Sequence, residues 1–184
     1  ISKAEITEDG QLECIRYGEL YTYYNEVIDE VKSRTNLDRN SLVLSEANDV
    51  IIPASGETQL DIATASCVTR SNIALGGDLN IIKTQINGVF LSYYLNSRKK
   101  LEIASLSQGI SVVHLYAKQL STLKISIPSK KEQDKIAGFL ALLDQRIKTQ
   151  NKIIEELKLL KSTLCEMLYF SFQENFDVET CIGD

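Results

Sequence analysis

The chain has 184 residues, of which 43% are hydrophobic and 24% are charged, and its formal net charge is −5. This composition is typical of globular proteins and lacks the basic excess that captures nucleic acid by charge alone. No apolar stretch reaches the roughly 18 residues that a membrane span needs, and no secretory leader opens the chain.

Residues 1–128 contain short apolar runs separated by turn residues. Runs rich in β-branched and aromatic residues, bounded by glycine or by Asn-Asp pairs, indicate strands. Strands are therefore predicted at residues 14–17, 20–24, 42–44, 50–53, 62–68, 81–82, 111–116 and 123–127. Apolar residues recur at helical spacing over residues 89–97, which predicts a helix that continues to about residue 103. This region is predicted to be mostly β, with one or two helices.

The pattern changes after Pro128. Ser129 and Glu132 have the spacing of a capping box, which marks the start of a helix. Apolar residues then follow a heptad repeat with no proline and no glycine after Gly138, which predicts one helix over residues 129–172. Such a helix is roughly 60 Å long, so we expect it to project and to pair with another helix, with Gln150 favouring one register. The residues expected to form the pairing face are Ile136, Leu143, Ile147, Ile153, Leu157, Leu160 and Leu164.

The sequence offers no catalytic, metal or cofactor motif. Neither a phosphate-binding glycine loop nor a nucleophile elbow is present, and His114, the only histidine, lies in a β-type run that favours a packing role. The four cysteines form no Cys-x-x-Cys pair, so a structural zinc site is not expected. We expect reduced thiols in a cytoplasmic protein.

Arginine, asparagine and glutamine side chains in polar segments favour contacts with nucleic acid. These side chains bind base edges, whereas tyrosine hydroxyls and lysine position the backbone. Residues 1–130 carry 13 basic and 15 acidic side chains, so a DNA binder would need its positive charge on one face or a partner for the phosphates. Half-buried sheet tyrosines and solvated arginines are the alternative interpretation. The candidate DNA contacts are Arg16, Tyr17, Tyr21, Tyr23, Arg34, Ser55, Thr58, Arg70, Lys83, Gln108 and Ser111.

Segments in order along nearly the whole chain resemble the specificity subunit of type I restriction-modification enzymes. The most specific is the series Ile127-Pro128, Glu132-Gln133, Ile136-Ala137, Leu143-Asp144 and Ile147, which in that family marks the passage from a target recognition domain into a long helix. The other matching segments are residues 14–22, 51–58, 75–80, 90–97 and 107–115.

The resemblance implies an α+β, β-rich target recognition domain at residues 1–128, then a long coiled-coil helix at 129–172 and a tail at 173–184. It implies that the chain reads one half of a bipartite DNA target and is not itself catalytic. Separate modification subunits, which bind S-adenosylmethionine, methylate adenine, and an ATP-driven restriction subunit cleaves.

The chain departs from the family in two respects. It has one recognition domain and one helix where the family usually has two of each, so we expect a homodimer or pairing with a second specificity half. The family's usual opening strand is missing, and residues 179–184 resemble that opening, so a circularly permuted domain completed by residues 176–184 is a second interpretation. The rival functions are a plain oligomerisation module and a decoy that binds modification subunits without reading DNA.

Overall fold

The computed structural model describes the backbone of residues 1–175 and the side chains of residues 1–170. The chain divides into two compact units, residues 1–141 and the part that begins at Leu142. Residues 176–184, which the second interpretation assigns to the recognition domain, lie outside the described residues. No helix of residues 1–175 is both long enough and apolar enough to cross a membrane.

Within residues 1–175, ten short strands form three sheets. The strands are β1 (Leu12–Ile15), β2 (Val27–Ile28), β3 (Ser33–Thr35), β4 (Val43–Leu44), β5 (Asp49–Pro53), β6 (Ser55–Gly56), β7 (Ser66–Val68), β8 (Ala74–Leu75), β9 (Leu79–Ile82) and β10 (Val113–His114). One sheet has the order β3-β1-β8-β4, a second β2-β7-β5-β9, and the third is the pair β10-β6. The pairs β1–β8 and β2–β7 are parallel and the others antiparallel.

Helices connect these strands and follow them. They are α1 (Glu19–Thr22), α2 (Gln59–Ile62), α3 (Gly88–Tyr94), α4 (Lys100–Leu106), α5 (Ala117–Leu120) and α6 (Lys130–Asn175). A π-helical turn, Leu95–Lys99, joins α3 to α4, so the helix predicted at residues 89–103 is confirmed.

Strand β5 lies between the two hydrophobic cores of the domain. All five of its residues are buried. Successive strand residues point to opposite faces of a sheet, and accordingly Val50 and Ile52 pack in one core, with Leu91 of α3, while Ile51 packs in the other, with Ile15 of β1. The sheet β2-β7-β5-β9 is therefore covered on both faces.

The turn before β5 is tied to the start of α3. Asn48 adopts a left-handed backbone with φ of 82°. Its side-chain amide donates to the carbonyls of Thr84 and Ile86, and its side-chain oxygen accepts from the Gly88 amide at 2.7 Å. A Cβ on Gly88 would lie 2.6 Å from the Asn48 carbonyl oxygen and 2.8 Å from Cys67 Sγ, so only glycine fits.

The predicted start of the long helix is confirmed. The Glu132 carboxylate accepts from the Ser129 hydroxyl at 2.6 Å and from the Ser129 amide at 2.9 Å. These hydrogen bonds hold the pKa of Glu132 below its ordinary value. Helix α6 is then described over 46 residues, Lys130–Asn175, about 69 Å, and so extends past the predicted residue 172.

Two of the predicted strands overlap helices, one of them over most of its length and the other only at its first residue. The strand expected at residues 20–24 is wrong, because Glu19–Thr22 forms α1, whose first residue accepts a hydrogen bond from the Arg16 amide. The strand expected at 62–68 begins only at Ser66, because Thr58 caps α2 with a hydrogen bond from the Asp61 amide.

Two further predicted strands are shorter than expected or absent. Only Val113–His114 of the segment 111–116 pairs with another strand. Residues 123–127 form no strand, because no neighbouring strand pairs with this alternating apolar segment. Ile125 and Ile127 accordingly stay 36% and 41% exposed.

Replacing Gly88 with alanine should destabilise the domain by roughly 1–3 kcal/mol, because the new methyl group overlaps the Asn48 carbonyl. Urea unfolding at one fixed protein concentration measures this. The matched control is Gly138→Ala in α6, where a Cβ meets nothing within 4 Å. Because alanine has the higher helix propensity, this variant should raise the free energy of unfolding by up to about 1 kcal/mol. Equal stability of the two variants would contradict the packing at Gly88.

Candidate nucleic-acid interface

The two-residue ladder between β6 and β10 brings four of the predicted contacts into one region. Val113 pairs with Gly56 and His114 with Ser55, which places Ser55 and Thr58 beside the loop that contains Gln108 and Ser111. The side chains of Gln108 and Ser111 are exposed, whereas Ser55 is buried. The Thr58 hydroxyl donates to Asp61 Oδ2 at 2.7 Å as part of the α2 cap.

The loop before β10 is closed by its own backbone. Gln108 and His114 exchange two amide-to-carbonyl hydrogen bonds, of 2.9 and 2.7 Å. Gly109 has φ of +128°, a left-handed value that strains other residues, and a Cβ there would lie 2.0 Å from the Val112 carbonyl oxygen. The loop thus holds Ile110, which is 99% exposed, at its tip.

Two tyrosines border this loop region. The ring of Tyr21 lies against Gly56, since a Cβ on that glycine would come within 3.8 Å of Tyr21 Cε1. Burial, then the neighbouring Tyr17, Asp61 and Glu57, raise the pKa of the Tyr21 phenol, so its hydroxyl stays a donor at neutral pH. We call the group of Tyr17, Tyr21, Thr58, Gln108 and Ser111 the loop surface; the predicted contact Ser55 is buried and is not part of it.

Arg16, next to the loop surface in sequence, is held by a buried carboxylate. Glu19 is only 2% exposed and accepts from Arg16 Nε at 3.1 Å, from the Arg16 amide at 3.1 Å and from the Ser33 hydroxyl at 2.5 Å. Charge-assisted hydrogen bonds of this kind fix the direction of a guanidinium group. Arg16 is therefore oriented before any ligand arrives.

The other predicted arginines lie on the sheet β3-β1-β8-β4 and its connections. Both terminal nitrogens of Arg70 contact the Glu13 carboxylate, at 3.0 and 3.2 Å. Glu13 lies directly opposite Arg34, whose Nε donates to the Gly10 carbonyl at 2.6 Å. We call Arg34, Arg70 and the exposed Arg39 the arginine row.

Sequence reasoning missed Arg39. Its guanidinium donates to the side chain of Asn72, two residues after Arg70. The polar segment Asp38-Arg39-Asn40 carries the same residue types that singled out Arg34, so this signal was available in the sequence.

Tyr23 and Lys83, the two remaining predicted contacts, have other neighbours. The Lys32 ammonium lies 4.6 Å from the centre of the Tyr23 ring. Lys83 Nζ lies 2.7 Å from Glu46 Oε1, at the edge of a polar pocket of 310 Å³, and the hydrogen bond to Glu46 raises the pKa of Lys83. The predicted residues therefore have two main sets of neighbours, the β6–β10 ladder with its loop and the sheet β3-β1-β8-β4.

The candidate cations do not form an unpaired positive patch. Arg16, Arg70 and Lys83 are each in contact with a carboxylate of the same domain. A phosphate or a base edge would compete with these carboxylates or use the remaining N–H groups of the guanidinium. This local neutralisation agrees with the small net charge of the domain.

Cys14, Cys67 and His114 have the surroundings of packing residues rather than of reactive groups. Burial raises the pKa of Cys14 to about 11 and that of Cys67 to about 12, so neither thiol is an activated nucleophile. His114 stacks on Tyr116 at 6.1 Å, a packing contact. A search of the described residues for clustered metal-ligating side chains found no group.

Residues 1–159 match the protein family described as the type I restriction modification DNA specificity domain. The match spans the whole domain and most of the long helix. The chain belongs to this family.

Solved structures of similar fold agree with the family assignment. The S subunit of the type I restriction-modification system from M. genitalium is 20% identical, with a TM-score of 0.56 over 84% of this chain and 37% of that chain. The HsdS subunit from Thermoanaerobacter tengcongensis is 14% identical, with a TM-score of 0.54 over 81% of this chain and 34% of that chain. A third structure, from work on complex assembly and conformational transition of the type I R-M system, is 14% identical. Its TM-score is 0.56 over 89% of this chain and 39% of that chain.

These similarities establish the fold. This chain matches well under half of the length of each of those subunits. The β-rich domain followed by a long helix, expected from the sequence, is confirmed.

Replacing Glu19 with glutamine should lower the free energy of unfolding by about 1.5–3 kcal/mol, because the new amide N–H₂ faces the donors of Arg16 and Ser33. Thermal or urea unfolding measures the change. The matched control is Glu102→Gln, which removes an exposed pair with Lys99 and should cost less than about 1 kcal/mol. Wild-type stability of the Glu19 variant would show that this carboxylate does not anchor the Arg16 turn.

Proposed function

We propose that this chain is a non-catalytic DNA specificity subunit of a type I restriction-modification complex that methylates adenine, and that it reads one half of a bipartite target. The observation that carries this proposal is the family match over residues 1–159. The loop surface and the arginine row are the parts of the domain that would meet DNA.

Within this proposal, different types of side chain would contact the bases and the phosphates. Gln108 and the arginines can make two parallel hydrogen bonds to a base edge, so they would read sequence. Ser111 and the tyrosine hydroxyls donate or accept one hydrogen bond and would fix the domain on the phosphates, together with Lys83. The Glu19 carboxylate would hold Arg16 in the geometry in which it meets the groove, whereas the Glu13 carboxylate would compete with DNA for Arg70.

A second copy of the chain would supply the other half-site. The seven residues expected to pair keep between 40% and 59% of their surface exposed within the chain. An apolar stripe of this length is stable in water when another helix covers it. A two-fold antiparallel pair of α6 helices would cover both stripes and carry one recognition domain for each half-site.

Partner subunits would complete the complex. The domain has too little free positive charge to hold DNA on phosphate contacts alone, so modification subunits around the DNA would provide many of them. Those subunits would carry S-adenosylmethionine and the adenine methyltransferase centre, and a restriction subunit would join in the full complex.

Two other functions make different demands on the same chain. A decoy would bind modification subunits without reading DNA, and an oligomerisation module would need only the stripe on α6. Neither needs the ordered loop of Gln108, so the sequence of the methylated DNA separates them from our proposal.

The test is a map of methylated adenines in genomic DNA after incubation with this chain, its host's modification subunits and S-adenosylmethionine. A split motif with identical, inverted halves would support two copies of one domain. An asymmetric split motif would support pairing with a different specificity half. Absence of methylation, with the modification subunits bound, would overturn the reading function in favour of the decoy.

Changes at Arg70 and Glu13 should act in opposite directions on DNA affinity. Arg70→Ala should weaken binding to the methylated motif by about 1–3 kcal/mol, the value for one lost base contact, with little change in the slope of log K against log salt. Glu13→Gln removes the competing carboxylate and should strengthen binding about two- to fivefold. Fluorescence anisotropy over a salt series measures both.

The matched control for these variants is Arg98→Ala, an exposed arginine in the π-helical turn. Its affinity and salt slope should equal those of the wild type. An effect of Arg98→Ala as large as that of Arg70→Ala would contradict the assignment of the arginine row to DNA.

A charge on the stripe should separate the dimer. Leu157→Glu places a carboxylate in the centre of the helix pair and should raise the dissociation constant by a factor of about 10² or more. Sedimentation velocity over a concentration series measures it, with Lys158→Glu, one residue away and off the stripe, as the control. A Leu157→Glu chain that remains dimeric like the wild type would exclude pairing through this face.

A further inference from the structure

The motif Glu132-Gln133 has a second member whose role the helix cap does not explain. Glu132 caps α6, whereas Gln133 contributes nothing to that cap with its side chain. Gln133 is nevertheless only 5% exposed, while its neighbours Glu132 and Asp134 are exposed. A buried glutamine in the first turn of a helix requires partners for both ends of its amide.

Both partners come from the recognition domain and its last connection. Gln133 Nε2 donates to the Pro128 carbonyl at 2.9 Å, and Gln133 Oε1 accepts from the Asn87 amide at 3.0 Å. The next residue strengthens the same link, since Asp134 Oδ1 accepts from Asn87 Nδ2 at 2.8 Å. The start of α6 is thus joined to residue 87 by two hydrogen bonds, one to the Gln133 side chain and one to the Asp134 side chain.

Asn87 passes this link to the core sheet. Its side-chain oxygen caps α3 by accepting from the Phe90 amide at 3.0 Å. The following residue, Gly88, donates its amide to Asn48, the residue directly before β5. A chain of short hydrogen bonds therefore runs from β5 through Asn48, Gly88 and Asn87 to Gln133.

A second, apolar contact lies one turn further on. Ala137, four residues after Gln133 and on the same helix face, is 4% exposed. Gly138, its neighbour, has nothing within 4 Å of a Cβ position. One face of the first two turns of α6 is therefore buried, with hydrogen bonds at Gln133 and apolar packing at Ala137.

We propose that Gln133 is a positioning residue: it locks the first turns of α6 to the recognition domain and thereby fixes the gap between the two half-sites that a dimer accepts. This inference rests on the proposed function, since a gap exists only if two domains read one split target. It assigns to Gln133 no contact with DNA.

The test measures gap selectivity rather than affinity alone. The affinity of the wild-type complex is measured by competition between duplexes that carry its two half-sites. One duplex has the native gap between the half-sites, and the others have gaps one or two base pairs shorter or longer. Simultaneous engagement of two half-sites should favour the native gap by about 10². Gln133→Met keeps the side-chain volume but none of the hydrogen bonds, and it should reduce that preference by about tenfold.

Two further variants separate positioning from folding. Ala137→Leu leaves Gln133 intact and wedges the same face apart, so it should relax gap selectivity in the same way. Gln145→Met changes an exposed glutamine that lies off the pairing stripe of the same helix, and it should leave the selectivity unchanged.

The outcomes distinguish this inference from the proposed function. A Gln133→Met complex that loses affinity equally at every gap, or keeps the wild-type preference, would overturn the positioning role and leave DNA reading intact. A wild-type complex that recognises no split target would overturn the proposed function and this inference with it.

Discussion

Strand β5 is the constraint on which the domain depends, because one strand supplies side chains to both hydrophobic cores. Val50 and Ile52 enter one core and Ile51 enters the other, with every residue of the strand buried. The three apolar residues at the centre of this strand tolerate neither a polar substitution nor a shift by one residue, since a shift would exchange the contents of the two cores. The two mixed sheets and the helices on either side therefore keep a fixed relation, and the loops inherit it.

The polar contacts around this frame orient charged groups more than they stabilise the fold. Glu19 fixes Arg16, Glu13 fixes Arg70, and Asn48 fixes the start of α3. Under the proposed function, these carboxylates would reduce the attraction of the domain for arbitrary DNA, because a phosphate at Arg16 or Arg70 would compete with a partner already in place. Such a domain gains its selectivity when several oriented groups are satisfied together, as a specificity subunit requires.

The sequence predicted the parts of the fold that rest on local signals. The start of the long helix after Ser129 and the helix at residues 89–103 are confirmed because helix starts and helical periodicity depend on nearby residues. Residues 20–24 and 123–127 were predicted wrongly as strands because aromatic and β-branched runs also occur in helices and in unpaired segments, and strand formation depends on a distant partner. The two-group arrangement of the candidate contacts could not be predicted, since it follows from the pairing of β6 with β10, more than 50 residues apart.

The loop of Gln108 is joined to the domain by a ladder of only two residue pairs and by its own closing hydrogen bonds. Between Gly109 and Val113, three exposed residues contribute nothing to either core. Substitutions there can accumulate with little loss of stability, because surface positions without special contacts change it by only about 0.5 kcal/mol. The architecture therefore separates the residues that evolution must preserve from those it can vary, and a lineage of such subunits can acquire new target sequences without redesigning its core.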